Sequence, residues 1–90
     1  TEETEGQQFK AAGSTDAKVL AGAISSFARA GRRMMVTALG ASSINQAVKA
    51  IAIARKNVDV EGIDLLCKPE FTEVNENTTA LRLHLLIEQT

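Results

Sequence analysis

The chain predicts a two-layer sandwich of the α/β (α+β) class in the order β-α-β-α-β-β, and three observations carry that expectation. Two runs at helical spacing, Leu20 to Ala28 and Ile44 to Ala54, each follow a glycine-containing turn. A short run of strand length precedes each of them. Near the C-terminal end, Leu81, Leu83, Leu85 and Ile87 alternate with Arg82 and His84, the period of a half-buried strand. Ninety residues make one domain with a limited core.

Residues 1–6 read as a disordered acidic tail, with Glu2, Glu3 and Glu5 among Thr, Gly and Gln, and residues 7–90 as the single domain. Gln7 to Ala12 is the first strand, with Phe9 its one strong strand former. Gly13-Ser14-Thr15-Asp16 is a turn leading into a helix, with Ser14 or Thr15 as the N-cap. Leu20, Ile24, Phe27 and Ala28 give that helix its apolar face, and Gly31 ends it as a C′ glycine. Arg32 to Leu39 has strand length; Gly40 breaks it, and Ser42 or Ser43 is expected to cap a second helix ending near Asn57.

Asn57 to Gly62 is a polar connection, and Ile63 to Lys68 reads as a third strand. Pro69 cannot donate to a sheet ladder, so this strand belongs at an edge or bends there, and Phe71 to Val74 continue it. Asn75 to Thr78 is a hairpin-like turn before the alternating strand Ala80 to Ile87, whose outward series Leu86 breaks. Right-handed crossovers make the first three strands parallel, with both helices on one face, and the hairpin turns the last strand antiparallel. The other sheet face is then open or covered by a partner.

The second helix is apolar on more than one side. Ile44, Ala47, Val48, Ile51 and Ala52 make one stripe at 100° per residue, while Ile53 points away from it and Ala50 and Ala54 widen the apolar surface. A short chain has little left to cover a second side, so a homodimer is expected, with Ala50, Ile53, Ala54 and Asn57 at its interface.

Net charge is −1, which argues against a strongly basic nucleic-acid binder. The eleven acidic residues less the three in the tail leave eight against ten basic ones, so the body is weakly basic. There is no basic-then-apolar leader and no run long enough to span a membrane. One cysteine, Cys67, excludes an intramolecular disulfide and fits a reducing compartment, so an intracellular location (cytoplasmic, nucleoid or nuclear) is expected.

Two stretches carry a family resemblance: GASSINQAVKAIAIAR, and after it GIDLLCKPEF. They resemble the signature of the stage V sporulation protein S family, closely over residues 38–71 and through Val19-Leu20-Ala21-Gly22-Ala23 in the first helix. That family is similar to Alba, a small archaeal nucleic-acid-binding protein of the same element order, and to the C-terminal domain of initiation factor 3. The resemblance implies an Alba-like mixed sheet in the order 1-2-4-3, a dimer, and nucleic-acid contacts through the loops before both helices and the tip of the last hairpin. Topology places these features at one end, where helix N-termini offer N–H groups and partial positive charge to phosphate. The candidate contacts are Ser14, Thr15, Lys18, Gly40, Ser42, Ser43, Asn45 and Lys49.

The chain departs from Alba in its charges. Alba has paired lysines in the first loop, where this chain has Gly13-Ser14-Thr15-Asp16, and arginines flanking the glycine of the second, where Leu39 and Ala41 stand here. Its hairpin arm is basic, whereas this one carries Glu73 and Glu76. Each lost phosphate contact removes part of the salt-dependent affinity, so weak binding without sequence preference is expected.

Other groups suggest no chemistry. Arg29, Arg32, Arg33, Arg55 and Lys56 gather where the helices end, either as a second basic patch or as cations favoured by helix C-termini, with Asp59 and Glu61 as offsets. Asn45, Gln46 and Lys49 form the polar flank of the second helix, solvated, dimer-lining or ligand-contacting. His84 reads as a surface or interface residue, because a catalytic base needs a positioned partner and none is identifiable. Cys67 alternates with Ile63 and Leu65 and is expected to be a buried structural thiol. No cofactor, metal or small-molecule substrate is expected: one Cys and one His cannot build a zinc site, and the turn at Gly40 lacks the Lys-Ser/Thr ending of a Walker loop. Three Phe and no Trp or Tyr leave little to stack on single-stranded bases. The function expected is a non-enzymatic dimeric nucleic-acid-binding module; the alternative is a dimeric regulatory or scaffolding protein acting through protein partners.

Overall fold

A computed structural model describes residues 6–89, so the expected acidic tail lies, apart from Gly6, outside the described residues. The elements run β1 (Gln7–Ala11), α1 (Ala17–Arg29), β2 (Met34–Ala38), α2 (Ala41–Asp59), β3 (Ile63–Asn75) and β4 (Thr78–Gln89). The sheet has the order β1-β2-β4-β3. β1 and β2 are parallel, and β4 is antiparallel to both β2 and β3. This is the expected fold and strand order.

Both helix caps differ from expectation. Asp16, not Ser14 or Thr15, caps α1: its Oδ1 accepts from the backbone N–H of Lys18 at 2.9 Å and of Val19 at 3.4 Å. Thr15 is engaged one step earlier, its Oγ1 accepting from the N–H of Ala12 at 2.7 Å to close the turn. At α2, neither Ser42 nor Ser43 is the cap; Gly40 holds that position at φ 90° and ψ 157°, with no side-chain cap. That backbone conformation is open essentially to glycine alone. The serines therefore fall inside the first turn, where Ser43 is buried. The end of α1 is as expected: Gly31, at φ 69°, donates to the carbonyl of Ala28 and Arg32 to that of Phe27, the paired bonds of a Schellman motif.

A single core lies between the helices and one sheet face. α1 contributes Leu20, Ala21, Ile24, Ser25 and Ala28, and the strands contribute Ala11, Met34, Val36, Ala38, Ile63, Leu65, Leu83 and Leu85. The buried face of α2 is Ser43, Ala47, Ala50, Ile51, Ala54 and Val58, rotated by roughly 80° from the expected stripe at 100° per residue. Val48 is consequently 51% exposed and Ala52 also faces solvent, while Ala50 and Ala54 are wholly buried. Small residues on both helices bring the two axes close, and large ones could not occupy that seam. Buried Ser25 donates to the carbonyl of Ala21 at 2.8 Å and accepts from Asn57 Nδ2 at 3.3 Å, so its hydroxyl is satisfied without water.

β3 is an edge strand that runs through Pro69 and on through Phe71 to Asn75. β2 accompanies the β3–β4 hairpin only as far as the Ala38–Leu81 pair, so the arm beyond it projects from the sheet. A two-residue turn, Glu76-Asn77, ends the arm, with Asn77 N–H donating to Asn75 Oδ1 at 3.1 Å. Cys67 has the parity of Ile63 and Leu65, yet it is exposed. Burial on this strand stops at Leu65, so the expected buried thiol is corrected: parity gives the face, but the helices do not reach that far.

Gly40→Ala is expected to lower stability by about 1–3 kcal/mol through the strained backbone. Gly22→Ala, at an exposed helix position with open space around it, is expected to raise stability by about 0.5–1 kcal/mol. Urea unfolding of both variants measures the contrast; equal responses would remove the backbone argument.

Candidate nucleic-acid interface

The loop before α1 and the start of α2 are built against each other. A Cβ on Gly13 would stand 2.7 Å from Ser42 Oγ, so the glycine permits the close approach of loop to helix. Gln46 Nε2 donates to the carbonyl of Thr15 at 2.7 Å, tying the same loop to the next turn of α2. Ser14, Gly40 and Ser42 are exposed along this edge, Thr15 is half-buried, and Ser43 is buried within the helix and turned from solvent.

The two helix N-termini are not equivalent. The carboxylate of Asp16 already occupies the first N–H groups of α1 and adds negative charge there. An approaching phosphate meets a filled site at α1 and an uncapped one at α2, where Gly40 has no side chain to offer.

Lys18 and Lys49 come from different helices and line one shallow groove, of about 620 Å³, with Asp16, Ala17, Ala52 and Ile53. Both lysines are exposed, and Asn45 is exposed one turn before Lys49 on the same helix. The groove has an apolar floor and two cations against one carboxylate. The hairpin arm adds Glu73 and Glu76 and no cation beyond the Arg82–Glu70 pair of strand positions.

Of the residues expected at a dimer interface, Ala50 and Ala54 are corrected. Each is 0% exposed in the single chain, because α2 turns them toward its own core. Ile53 is half-buried in the groove, and Asn57 is exposed but spends its amide on Ser25. The apolar surface that α2 leaves open is Val48 and Ala52. This flank adjoins β3, since Arg55 reaches Asp64 with Nε to Oδ1 at 2.6 Å.

At the far end, the basic cluster is largely engaged. Arg29 pairs with Glu61 at 2.7 Å, Arg55 with Asp64, and the Arg32 guanidinium lies 5.0 Å from the centre of the Phe27 ring. Of the two expected offsets Glu61 pairs with Arg29, while the carboxylate that Arg55 meets is Asp64. The hydrogen bond from Arg55 holds the Asp64 carboxyl below its usual range, against the opposing pull of desolvation.

One cluster was not legible in the sequence. On the sheet face away from the helices, His84 Nε2 and Glu70 Oε1 are 2.7 Å apart, and Arg82 lies 3.9 Å from the same oxygen. The His84 hydrogen bond, with the charges of His84, Arg82 and Lys68, keeps the Glu70 carboxyl below the usual glutamate range. Cross-strand neighbours reveal themselves only when the register is known. Cys67 shows the reverse effect: desolvation pushes its thiol up, away from the reactive thiolate. Among the described residues, no group of three or more His, Cys, Asp or Glu is placed to hold a metal ion, and no helix is long and apolar enough to cross a membrane.

The fold and this edge together define a small two-layer α/β domain with a 1-2-4-3 sheet, a free hairpin arm and a two-lysine groove between its helices. The family described as Stage V sporulation protein S matches residues 7–88. The chain belongs to the stage V sporulation protein S family.

Gln46→Ala is expected to cost about 0.5–1.5 kcal/mol and to speed amide exchange at Gly13 to Thr15 selectively, read by native-state hydrogen exchange. Because the folded Glu70 carboxyl titrates low, its contribution to stability is present above the ordinary glutamate range and lost as pH falls through its folded value. Carboxyl carbon shifts against pH are expected to show this low titration in the native chain. In His84→Ala the titration returns toward the ordinary range; no change on removing the imidazole would assign the effect elsewhere.

Proposed function

We propose that this chain is a non-enzymatic nucleic-acid-binding module, holding DNA or RNA weakly and without sequence preference, and that it works as a homodimer. The observation that carries the reading is the meeting of Lys18 and Lys49 in one groove beside the uncapped start of α2. Ser14, Ser42 and Asn45 supply exposed polar groups along the same edge, and backbone N–H groups at Gly40 and Ala41 complete a surface suited to phosphate. Two cations neutralise few phosphates, so affinity is low and falls with salt.

The homodimer forms on the flank of α2 beside β3, where Val48 and Ala52 are exposed. This flank adjoins the lysine groove, because Ala52 lines both. A second reading, a dimeric regulatory or scaffolding protein acting through protein partners, is favoured by the hairpin arm: Phe71 is 81% exposed on it, beside the acidic Glu73 and Glu76.

A salt titration of binding to duplex DNA and to RNA tests the first reading. The logarithm of affinity is expected to fall linearly with the logarithm of salt. Lys18→Ala and Lys49→Ala are each expected to reduce the slope by about 0.9 on duplex DNA. No binding at low salt would discard this reading in favour of the second. Light scattering after size exclusion tests the dimer, with Val48→Asp expected to yield monomers; a monomeric native chain at high concentration overturns it.

A further inference from the structure

The β3–β4 arm and the groove between the helices complement each other in charge and in apolar surface. From Phe71 to Leu81 the arm carries two carboxylates, Glu73 and Glu76, and no Lys, Arg or His. Phe71 is 81% exposed and Val74 is 54% exposed. Phe71 and Glu73 share one face by strand alternation, the face on which Ile63 and Leu65 are buried farther down β3. Cross-strand pairing of Phe71 with Leu81, Thr72 with Ala80 and Glu73 with Thr79 keeps the arm extended past the end of β2. Its own chain therefore leaves Phe71 uncovered.

The groove offers the reverse surface. Ala17, Ala52 and Ile53 supply its apolar lining, and Lys18 and Lys49 come to it from different helices. Its one carboxylate, Asp16, is turned to the backbone of α1, accepting from the N–H groups of Lys18 and Val19 at 2.9 and 3.4 Å. Within α1 and α2 the only acidic residue is Asp59, which lies with Arg55 and Lys56 in a separate depression at the end of α2. At about 620 Å³ the groove has room for the side chains of Phe71 and Val74 together.

We infer that the arm of one copy seats in the lysine groove of a second, with Phe71 against Ala17 and Ile53 and with Glu73 and Glu76 facing Lys18 and Lys49. Like-with-like pairing is disfavoured, since two grooves would oppose lysine to lysine and two arms glutamate to glutamate. The contact joins unlike surfaces and is head-to-tail, whereas a two-fold pair uses one patch twice. A phosphate backbone would use the lysines but leave Ala17 and Ile53 without an apolar partner; the arm uses both parts of the groove. The surfaces are small, so the contact is weak and depends on concentration, and its exposed charges make it weaken with salt. The arm takes the same lysines that the groove offers to phosphate, so the two occupants exclude one another. That consequence alone rests on the nucleic-acid reading.

Two variants with complementary defects test the contact by NMR. Phe71→Ser removes the anchor of the arm and keeps the groove; Lys49→Glu spoils the groove and keeps the arm. Both positions are exposed, so both chains are expected to fold. In isotope-labelled Phe71→Ser chain, the amides of Ala17, Lys18, Lys49 and Ile53 are expected to shift as unlabelled Lys49→Glu chain is added. Unlabelled Phe71→Ser chain is expected to leave them in place, which separates this contact from any pairing that both variants retain. Adding Glu73→Gln to the Lys49→Glu chain is expected to weaken the titration about threefold at low salt. No shift, or equal shifts with both added chains, overturns the inference. Shifts with duplex DNA but none with the Lys49→Glu chain make nucleic acid the occupant and overturn it too. Shifts with the Lys49→Glu chain and none with DNA support it and count against the nucleic-acid reading.

Discussion

The close seam between α1 and α2 governs the rest of the molecule. Ala47, Ala50 and Ala54 on α2 and Ala21, Ser25 and Ala28 on α1 are all buried. Side chains this small let helices approach closely, and a close approach fixes rotation as well as distance. With α2 locked in that rotation, Gln46 reaches the Thr15 carbonyl, Asn57 reaches Ser25, and Lys49 comes to the groove that Lys18 lines. The same rotation turns Val48 and Ala52 to solvent. One packing decision thus builds the candidate site and leaves the exposed flank.

The two-layer arrangement has a second consequence. Two helices cover one face of four strands, so polar and charged residues must make the other face compatible with water. Most do, through the His84, Glu70 and Arg82 cluster, yet Leu66 and Leu86 remain exposed side by side. The β3–β4 arm is similarly bare, since β2 ends before it and no helix reaches it. The surface therefore has separate regions of different chemistry: a lysine groove between helices, an acidic arm, and a sheet face of mixed charge with an exposed leucine pair.

Much of the fold was legible. The Gly13 and Gly40 turns, the spacing of Leu20, Ile24, Phe27 and Ala28, and the alternation through Leu81, Leu83 and Leu85 each mark an element, and each element is there. Pro69 marked an edge strand and β3 is one. The misses share a cause. Ser14, Thr15 and Asp16 are all competent caps, and only the path of the turn selects Asp16. Cys67 has inward parity, but burial depends on how far a helix extends over the strand. The candidate site was half legible: Lys18 and Lys49 could be named, but not their meeting in one groove, and Ala50 and Ala54 were assigned to a neighbour when the chain's own core takes them.

By itself, the sequence determined the kinds and order of the elements, the family, and the weak charge of the helix edge, because periodicity, turn chemistry and composition are local properties. Tertiary structure alone decided which side of α2 is buried, which carboxylate faces which cation, and which surfaces stay bare. An alanine-rich helix offers several nearly equivalent apolar faces, and only packing against α1 and the sheet chooses among them. Cross-strand pairs such as Glu70 with Arg82 exist only once the register is set, and residues far apart in the chain set it.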